Sequence, residues 1–434
     1  MINEREIILD ALLEILEKKK YAHLVLDQVL DKYGFLPKQQ RSFIKRCCEG
    51  TVENKIRIDY VINCYSKVRT EKMKPLVRTL LRMGVYQILY CDGIPDSAVC
   101  NECVKLAVKR GFGTLRGFVN GVLRNIARNK NQLHVPGREE DLTAYLSVHY
   151  SMPDWIVTMW ICRFGAQKTE QMLQGLLSVR PLIVRLDERM EPEKKEQLLK
   201  EMDAQGVRAV QTEELPYAYV LEGYDRVQDL PGYEKGLFAV QDTGSMLVVE
   251  MADIKPGSYV LDVCAAPGGK AMHAAVKTGK DGFVQARDLT QEKVDRIAEN
   301  IARCGLTNIE ACVYDATKFD VACVGKADVL IADLPCSGLG VIGRKSDIKY
   351  RITPDSISEI AALQRKILAC VYSYVKPGGV LLFSTCTVTK EENEDNRDWF
   401  LANYPFTLEE EKLLLPGIDA TDGFYMAKLR RKSE

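Results

Sequence analysis

The sequence lacks a long apolar run, an internal repeat and a low-complexity tract. No stretch of its 434 residues approaches the roughly 18 uncharged apolar residues that a membrane helix requires. The N-terminal segment mixes charged and apolar residues and has no hydrophobic core of the signal-peptide type. With 46% hydrophobic and 28% charged residues, the composition is typical of a folded protein. We therefore expect a cytoplasmic protein without a membrane partner, divided into two or three domains.

The spacing of a zinc site is also missing. Cys100 and Cys103 form a C-x-x-C pair, but no second pair follows at the separation that zinc sites use. The 14 cysteines of a cytoplasmic chain of this length are expected to be reduced. The sequence therefore predicts neither a metal site nor a disulfide framework.

Net charge is absent overall but unevenly distributed. The 60 basic and 60 acidic residues balance, yet residues 1–130 contain 24 Lys and Arg against 14 Asp and Glu, a local net charge of +10. A basic segment favours an anionic partner, and nucleic acid is the leading candidate. The alternative is a basic surface without a partner, and charge alone does not decide between them.

The first 135 residues are predicted to form a helical domain. Apolar residues recur at helical spacing from Ile8 to Leu16 and again from Leu76 to Ile88. Pro75 suits the start of a helix, and Gly84 suits an interruption.

Residues 140–236 have a mixed pattern. They begin with an apolar helix that contains Trp155 and Trp160. The strand-like segments RPLIVRLD and VRAVQTEELPYAYVLEG then flank the helical segment EPEKKEQLLKEM. This order predicts a small α+β subdomain.

Residues 237–434 alternate between strand and helix patterns. The predicted strands are SYVLDVCA, GFVQARDL, IEACVYDA, ADVLIADLP and GVLLFSTCT. Strands that alternate with helices indicate an α/β fold with a doubly wound, Rossmann-like parallel sheet. The last two segments, PFTLEEEKLL and GFYMAKLRR, are expected to form an antiparallel hairpin at one edge.

A loop of small residues follows the first of these strands. Such loops lie at the carboxyl ends of the strands, where doubly wound sheets bind their ligands. Small side chains let backbone N–H groups approach a ligand, and the following helix N-terminus favours a negative group. The loop is neither G-x-G-x-x-G nor a Walker A motif, which disfavours a dinucleotide or ATP. Its residues are Cys264, Ala265, Ala266, Pro267, Gly268, Gly269 and Lys270.

Acidic residues end the next two strands. Asp288 stands where an acid accepts hydrogen bonds from a ribose diol, and Asp315 is positioned to meet an adenine amino group. A lone Asp after a strand is usually a helix cap. Three aligned strand-end features favour a ligand over three separate structural roles.

Two cysteines follow the fourth and fifth strands. Cys336 lies in Asp333-Leu334-Pro335-Cys336, and Cys386 lies in Ser384-Thr385-Cys386. Both are expected at the ligand rim, where they suit methylation of a pyrimidine at C5. A thiolate that adds to C6 creates an enamine whose C5 can attack a sulfonium methyl group. Asp333 can stabilise charge at N3, and a positive environment would lower the pKa of the attacking thiol. This chemistry leaves open which cysteine attacks.

Residues 237–434 resemble the NOL1/NOP2/Sun family of RNA cytosine-5 methyltransferases. The shared motifs are DVCAAPGGK at 262–270, ADLPCSG at 332–338 and STCT at 384–387, together with Asp288 and Asp315. The resemblance implies a class I methyltransferase fold that binds S-adenosyl-L-methionine through the loop, Asp288, Asp315 and Asp333. It also implies that Cys386 is the nucleophile, that Cys336 assists product release and that Lys270 positions the cofactor or a base.

Residues 1–135 resemble the NusB-like RNA-binding domain fused to bacterial members of this family, with the FVN-x-VLR segment at 118–124. The fusion implies 16S rRNA as the partner, either naked or in an early small-subunit particle. DNA is not expected: the DNA cytosine-5 methyltransferases attack with the P-C cysteine, so the presence of both Cys336 and Cys386 favours RNA. A tRNA or another rRNA site, and a non-catalytic RNA-binding assembly factor, are the alternatives.

Overall fold

The computed structural model describes residues 3–133, 135–178 and 181–433, which fall into two units. The first unit comprises Met1–Leu177 and Arg344–Arg351, and the second comprises Ser178–Gly343 and Ile352–Glu434. The three predicted domain ranges stay predictions. His134, near the end of the first predicted domain, and Arg180, at the start of a predicted strand, lie outside the described residues.

The first unit is helical, as its apolar spacing predicted. Its α-helices are α1 (Glu4–Leu12), α2 (Ala22–Lys32), α3 (Lys38–Glu53), α4 (Lys55–Tyr65), α5 (Pro75–Tyr90), α6 (Asp96–Lys109), α7 (Arg116–Asn129), α8 (Leu142–Tyr150), α9 (Asp154–Phe164) and α10 (Ala166–Leu177). Trp155 and Trp160 both lie in α9. The preceding helix, α8, is separate and ends where Ser151 adopts a φ of 53°.

Gly84 does not interrupt a helix, so that prediction was wrong. Helix α5 begins at Pro75, as predicted, and continues through Gly84 to Tyr90. A Cβ atom at Gly84 would lie 2.9 Å from Leu123 Cδ2 and 3.1 Å from Cys103 Sγ. The glycine therefore permits close packing against α6 and α7.

Residues Arg344–Arg351 belong to the helical unit although they follow the fourth predicted strand of the α/β region. Lys349 is 2% exposed, and its Nζ donates to the carbonyl oxygen of Glu53 at 2.7 Å. The hydroxyl of Tyr350 donates to the carbonyl oxygen of Val52 at 2.8 Å. No pattern in the sequence predicted this contribution.

The second unit begins with a small antiparallel sheet. Its strands are β1 (Leu182–Leu186), β2 (Arg208–Gln211), β3 (Ala218–Glu222) and β4 (Phe238–Val240), in the order β2-β3-β1-β4, with helix α11 (Pro192–Ala204). The predicted strand–helix–strand order is confirmed. Phe238, which we had assigned to the α/β region, pairs with Leu186 and is buried in the core of this sheet.

A seven-stranded sheet forms the rest of the unit, in the order β10-β11-β9-β8-β5-β6-β7. Strands β5 to β9 pair in parallel, and β10 and β11 form the predicted antiparallel hairpin at one edge. The doubly wound α/β fold is thereby confirmed. Its strands are β5 (Tyr259–Asp262), β6 (Phe283–Asp288), β7 (Ile309–Val313), β8 (Ala327–Asp333), β9 (Val375–Thr385), β10 (Phe406–Leu414) and β11 (Phe424–Arg431). Its helices are α12 (Thr243–Met251), α13 (Gly269–Thr278), α14 (Gln291–Arg303), α15 (Pro354–Val371) and α16 (Glu394–Asn403).

Among the described helices, none has both the length and the apolar character needed to cross a membrane. None of the 14 cysteines, all within the described residues, forms a disulfide.

Candidate active site

The sheet topology brings the predicted site residues to one rim. In the parallel pairing, Asp262 at the end of β5 stands beside Ile331 of β8, and Asp333 at the end of β8 stands beside Ser384 of β9. The loops that leave β5, β6, β8 and β9 therefore emerge together at the carboxyl edge of the sheet, where doubly wound folds bind ligands.

The loop after β5 is held in place by backbone contacts. The N–H of Ala265 donates to the carbonyl oxygen of Arg287 at 2.8 Å. Gly268 has a φ of 104°, which favours glycine, and a Cβ atom there would meet Ile297 Cγ2 at 3.2 Å. Helix α13 begins at Gly269, so the loop ends at a helix N-terminus as predicted.

Asp288 organises this loop. One carboxylate oxygen accepts from the N–H of Ala266 at 2.9 Å, and the other accepts from Leu289 N–H at 2.7 Å and Lys293 Nζ at 2.8 Å. A carboxylate has about four acceptor positions, so these contacts leave capacity for a further hydrogen bond. Asp288 therefore joins two of the predicted cofactor loops.

Asp315 lies two residues beyond the end of β7 rather than at the strand end itself. Its carboxylate accepts from both the hydroxyl and the N–H of Thr317, at 2.7 and 2.9 Å. These hydrogen bonds lower the pKa of Asp315 and keep it charged. The predicted adenine contact stays a prediction.

Lys270 and Asp333 form an ion pair in the middle of the rim. Lys270 Nζ lies 2.7 Å from one oxygen of Asp333, and Ser384 Oγ donates to the other at 2.8 Å. Burial disfavours the charge on Lys270, but Asp333 outweighs it, and the pKa of Lys270 is raised. The charge of Cys386 acts on Lys270 in the same direction, so this ammonium attracts negative charge on the Cys386 sulfur.

Asp262 is a buried acid beside this pair. It is 1% exposed, and its Oδ2 has no hydrogen-bond partner among the described atoms. Burial, and then the charge of Asp333, raise the pKa of Asp262 to about 8. Asp262 is therefore mostly protonated at neutral pH, which limits the repulsion between the two acids.

The raised pKa of Asp262 predicts a pH-dependent stability. Folding favours its protonated form, so its contribution is fully present below the ordinary pKa of 3.8 and is lost as pH rises through about 8. The amide of Asp262→Asn does not ionise, so its stability lacks this dependence on pH. We expect its stability relative to the wild type to increase with pH across this window, by up to about 1.4 kcal/mol per pH unit.

Thermal melts between about pH 4 and pH 9 check this, with the exposed Asp281→Asn as the matched control. A stability difference that does not change with pH, or one shared by the control, contradicts the protonated state of Asp262.

The two cysteines meet at the rim. Cys336 Sγ and Cys386 Sγ are 3.2 Å apart, and both residues are half-buried rather than fully exposed. The hydrogen bond with Cys386, followed by burial, raises the pKa of Cys336 well above its usual value. The expected lowering of a thiol pKa therefore does not apply to Cys336, which remains a protonated thiol at neutral pH.

Sequence reasoning missed the residues that support these cysteines. Glu392 and Asn393 precede α16 and are both fully buried, with hydrogen bonds to the residues that flank Cys336 and Cys386. A polar, charged segment such as theirs is typical of a solvated surface. The signal for burial was only their place shortly after the T-C motif.

A second polar cluster lies away from the rim. Among the described residues, Glu188, Glu250 and His273 stand close enough to share a metal ion. Lys277 Nζ, however, lies 2.8 Å from Glu188 and 2.7 Å from Glu250, so its ammonium already pairs with both carboxylates and offsets part of their charge. We interpret the cluster as an ion-pair network that fastens the small sheet, through Glu188, to α12 and α13.

Known protein families match both the α/β region and the helical N-terminal region of the chain. A family of 16S rRNA methyltransferases, RsmB/F, matches residues 249–430, and the NusB family matches residues 2–128. The probable ribosomal RNA small subunit methyltransferase B of Bacillus subtilis is 34% identical over 99% of this chain and 98% of its own length. The probable enzyme of the same name from Synechocystis is 30% identical over 99% of this chain and 100% of its own.

Solved structures share the fold. The crystal structure of PH0851 covers 99% of both chains with a TM-score of 0.83 and 25% sequence identity. The structure of NSun6 from Pyrococcus horikoshii with SFG covers 65% of this chain and 98% of that chain, with a TM-score of 0.59 and 22% identity, which supports the fold alone. Since full-length relatives reach 34% identity, the chain belongs to the family of ribosomal RNA small subunit methyltransferase B and is a methyltransferase that uses S-adenosyl-L-methionine.

Proposed function

We propose that this protein methylates C5 of one cytosine in 16S rRNA, at a 967-type site, through a covalent bond between Cys386 and C6 of the base. The observation that carries the proposal is the 3.2 Å separation of the Cys386 and Cys336 thiols at the strand rim that also holds Asp333. One sulfur can attack while the other supplies a proton, which is the pair of functions that addition and elimination require.

The residues of the rim fit S-adenosyl-L-methionine. The small-residue loop from Cys264 to Gly269 provides a close backbone approach, and Asp288 and Asp315 provide charged acceptors for a ribose diol and an amino group. Asp333 accepts a hydrogen bond from Lys270, the residue that follows this loop, and ends the strand that precedes Cys336. When bound, the cofactor supplies an electrophilic methyl group.

Each catalytic residue has a defined task in the proposed cycle. Cys386 adds to C6 and its proton passes to N3, where the Asp333 carboxylate, held by Lys270 and Ser384, accepts a hydrogen bond from the N3–H. C5 then gains the methyl group and loses its proton to a base. The Cys386–C6 bond breaks with its electron pair on the sulfur, and the Cys336 thiol donates a hydrogen bond to that sulfur.

The RNA target rests on the NusB-like part of the chain. Residues 1–130 carry a net charge of +10, from 24 basic and 14 acidic residues, which suits contacts to phosphates. A base in a stack cannot reach the rim, so the target cytosine must turn out of its stack into the site. The curated relatives are named for the small ribosomal subunit, which supports 16S rRNA over tRNA.

Methyl transfer from labelled S-adenosyl-L-methionine to unmethylated 16S rRNA tests this proposal, with bisulfite sequencing of the product. We expect one new 5-methylcytosine at a single loop position. Transfer to tRNA or DNA in its place would overturn the substrate but keep the reaction class. No transfer, combined with no thermal shift by the cofactor, would favour a non-catalytic RNA-binding factor.

A further inference from the structure

Glu392 is a buried carboxylate that the proposed cycle does not use. It is 0% exposed, and it accepts four hydrogen bonds. The backbone N–H and the hydroxyl of Ser337 each lie at 2.6 Å, the hydroxyl of Thr389 at 2.6 Å and the hydroxyl of Thr387 at 3.4 Å. Burial raises the pKa of Glu392, while these donors act in the opposite direction.

The partners of Glu392 are the neighbours of the two cysteines. Ser337 directly follows Cys336, and Thr387 directly follows Cys386. The hydroxyls of Ser337 and Thr387 also lie 2.7 Å from each other. One carboxylate therefore ties together two loops whose sequences are about 50 residues apart.

Asn393 completes the arrangement on the Cys386 side. Its Oδ1 accepts from the hydroxyl of Thr385 at 2.6 Å, and its Nδ2 donates to the carbonyl oxygen of Thr387 at 3.0 Å. Asn393 thus holds the residues on both sides of Cys386, Thr385 by its hydroxyl and Thr387 by its backbone carbonyl. Backbone hydrogen bonds join this segment to the Cys336 loop, from Leu334 N–H to Ser384 O at 3.0 Å and from Gly340 N–H to Cys386 O at 3.1 Å. Glu392 adds a buried side-chain link next to the thiols themselves, through Ser337 and Thr387.

A buried carboxylate is costly unless its acceptor positions are satisfied, and charge-assisted hydrogen bonds are about twice as strong as neutral ones. Glu392→Gln replaces one of the two acceptor oxygens with an NH2 group, so either the Ser337 N–H or the Ser337 and Thr389 hydroxyls would lose their acceptor in a buried site. The loops would then relax in the region where the Cys336 sulfur must meet the Cys386 sulfur.

We propose that Glu392 is a positioning residue that sets the distance between the Cys336 and Cys386 thiols by binding the residue that follows each of them. Its importance for catalysis rests on the proposed function, because only a cycle that uses both thiols depends on their separation. Its effect on the distance between the thiols does not rest on the proposed function.

Cross-linking of the two thiols by diamide in the full-length protein tests this proposal without RNA. Each thiol loses one proton and one electron, a Cys336–Cys386 disulfide forms, and the azo group of diamide is reduced to the hydrazine. We expect Glu392→Gln to slow this reaction about tenfold or more, because small misplacements of reacting groups carry large rate penalties. Mass spectrometry of the cross-linked peptides gives the rate.

The matched control is Glu391→Gln, which changes the exposed neighbouring carboxylate and should cross-link at the wild-type rate. Glu392→Asp, which keeps the charge, should recover part of the rate. Alkylation of the buried Cys323 reports general loosening of the fold. Equal cross-linking in Glu392→Gln and wild type, or slower cross-linking only together with exposure of Cys323, would overturn the positioning role.

The methylation assay then separates this inference from the proposed function. If Glu392 positions the thiols and the cycle is correct, Glu392→Gln lowers kcat and leaves KM for the cofactor unchanged. If wild type does not methylate rRNA, the proposed function fails while the cross-linking result still decides the role of Glu392.

Discussion

Cys386→Ala is expected to lower methyl transfer by at least about 10⁴-fold, as removal of other catalytic nucleophiles does. C5 of a neutral cytosine is a poor nucleophile until a sulfur has added to C6. The affinity for S-adenosyl-L-methionine should be nearly unchanged. The predicted cofactor contacts lie mainly on the loops after β5, β6 and β7, whereas Cys386 follows β9. Single-turnover transfer and equilibrium cofactor binding measure the two quantities.

Cys370→Ala is the matched control, since Cys370 is a half-buried cysteine on α15. It should keep full activity. Activity that survives in Cys386→Ala but disappears in Cys336→Ala would assign the attack to Cys336, the order found in DNA cytosine-5 methyltransferases. Activity that survives in both single variants would contradict covalent catalysis by either thiol.

The strand-end residues could be predicted from the sequence because a parallel sheet gives every strand the same orientation. Once β5 and β8 were identified as apolar runs, Asp262 and Asp333 had to emerge at one rim. The pairing of Lys270 with Asp333 at 2.7 Å was not predicted, because the end of a strand does not determine which side chains meet there. Local patterns thus predicted the position of the site and left its internal hydrogen bonds open.

Contacts between distant segments could not be predicted in this way. Glu392 reaches Ser337 across 55 residues, and Lys349 reaches Glu53 across 296. Charged residues in polar segments are usually exposed, so sequence patterns favoured a surface position for both. Gly84 illustrates the same limit, because its role depends on Leu123 and Cys103 of neighbouring helices rather than on its own helix.

Cys336→Ala is expected to leave the enzyme bound covalently to its RNA. The raised pKa of Cys336, caused first by its hydrogen bond with Cys386 and then by burial, keeps this thiol protonated at neutral pH. A protonated thiol 3.2 Å from the Cys386 sulfur can stabilise that sulfur as it leaves C6. Without it, addition and methyl transfer should still occur, and elimination should become the slow step.

The adduct is measured as a denaturant-resistant complex with end-labelled 16S rRNA fragment and cofactor. It should accumulate in Cys336→Ala, remain scarce in wild type and be absent in Cys336→Ala/Cys386→Ala, which lacks the attacking sulfur. The amount of this adduct also tests the role of Glu392, because two residues that act through one step have non-additive effects. If Glu392 acts only by holding Cys336 near Cys386, then Glu392→Gln alone slows release of the RNA adduct. In the Cys336→Ala enzyme, the same change causes no further slowing. Rapid release with full turnover in Cys336→Ala would exclude the thiol from elimination, and the shared buried network would then serve only the orientation of Cys386.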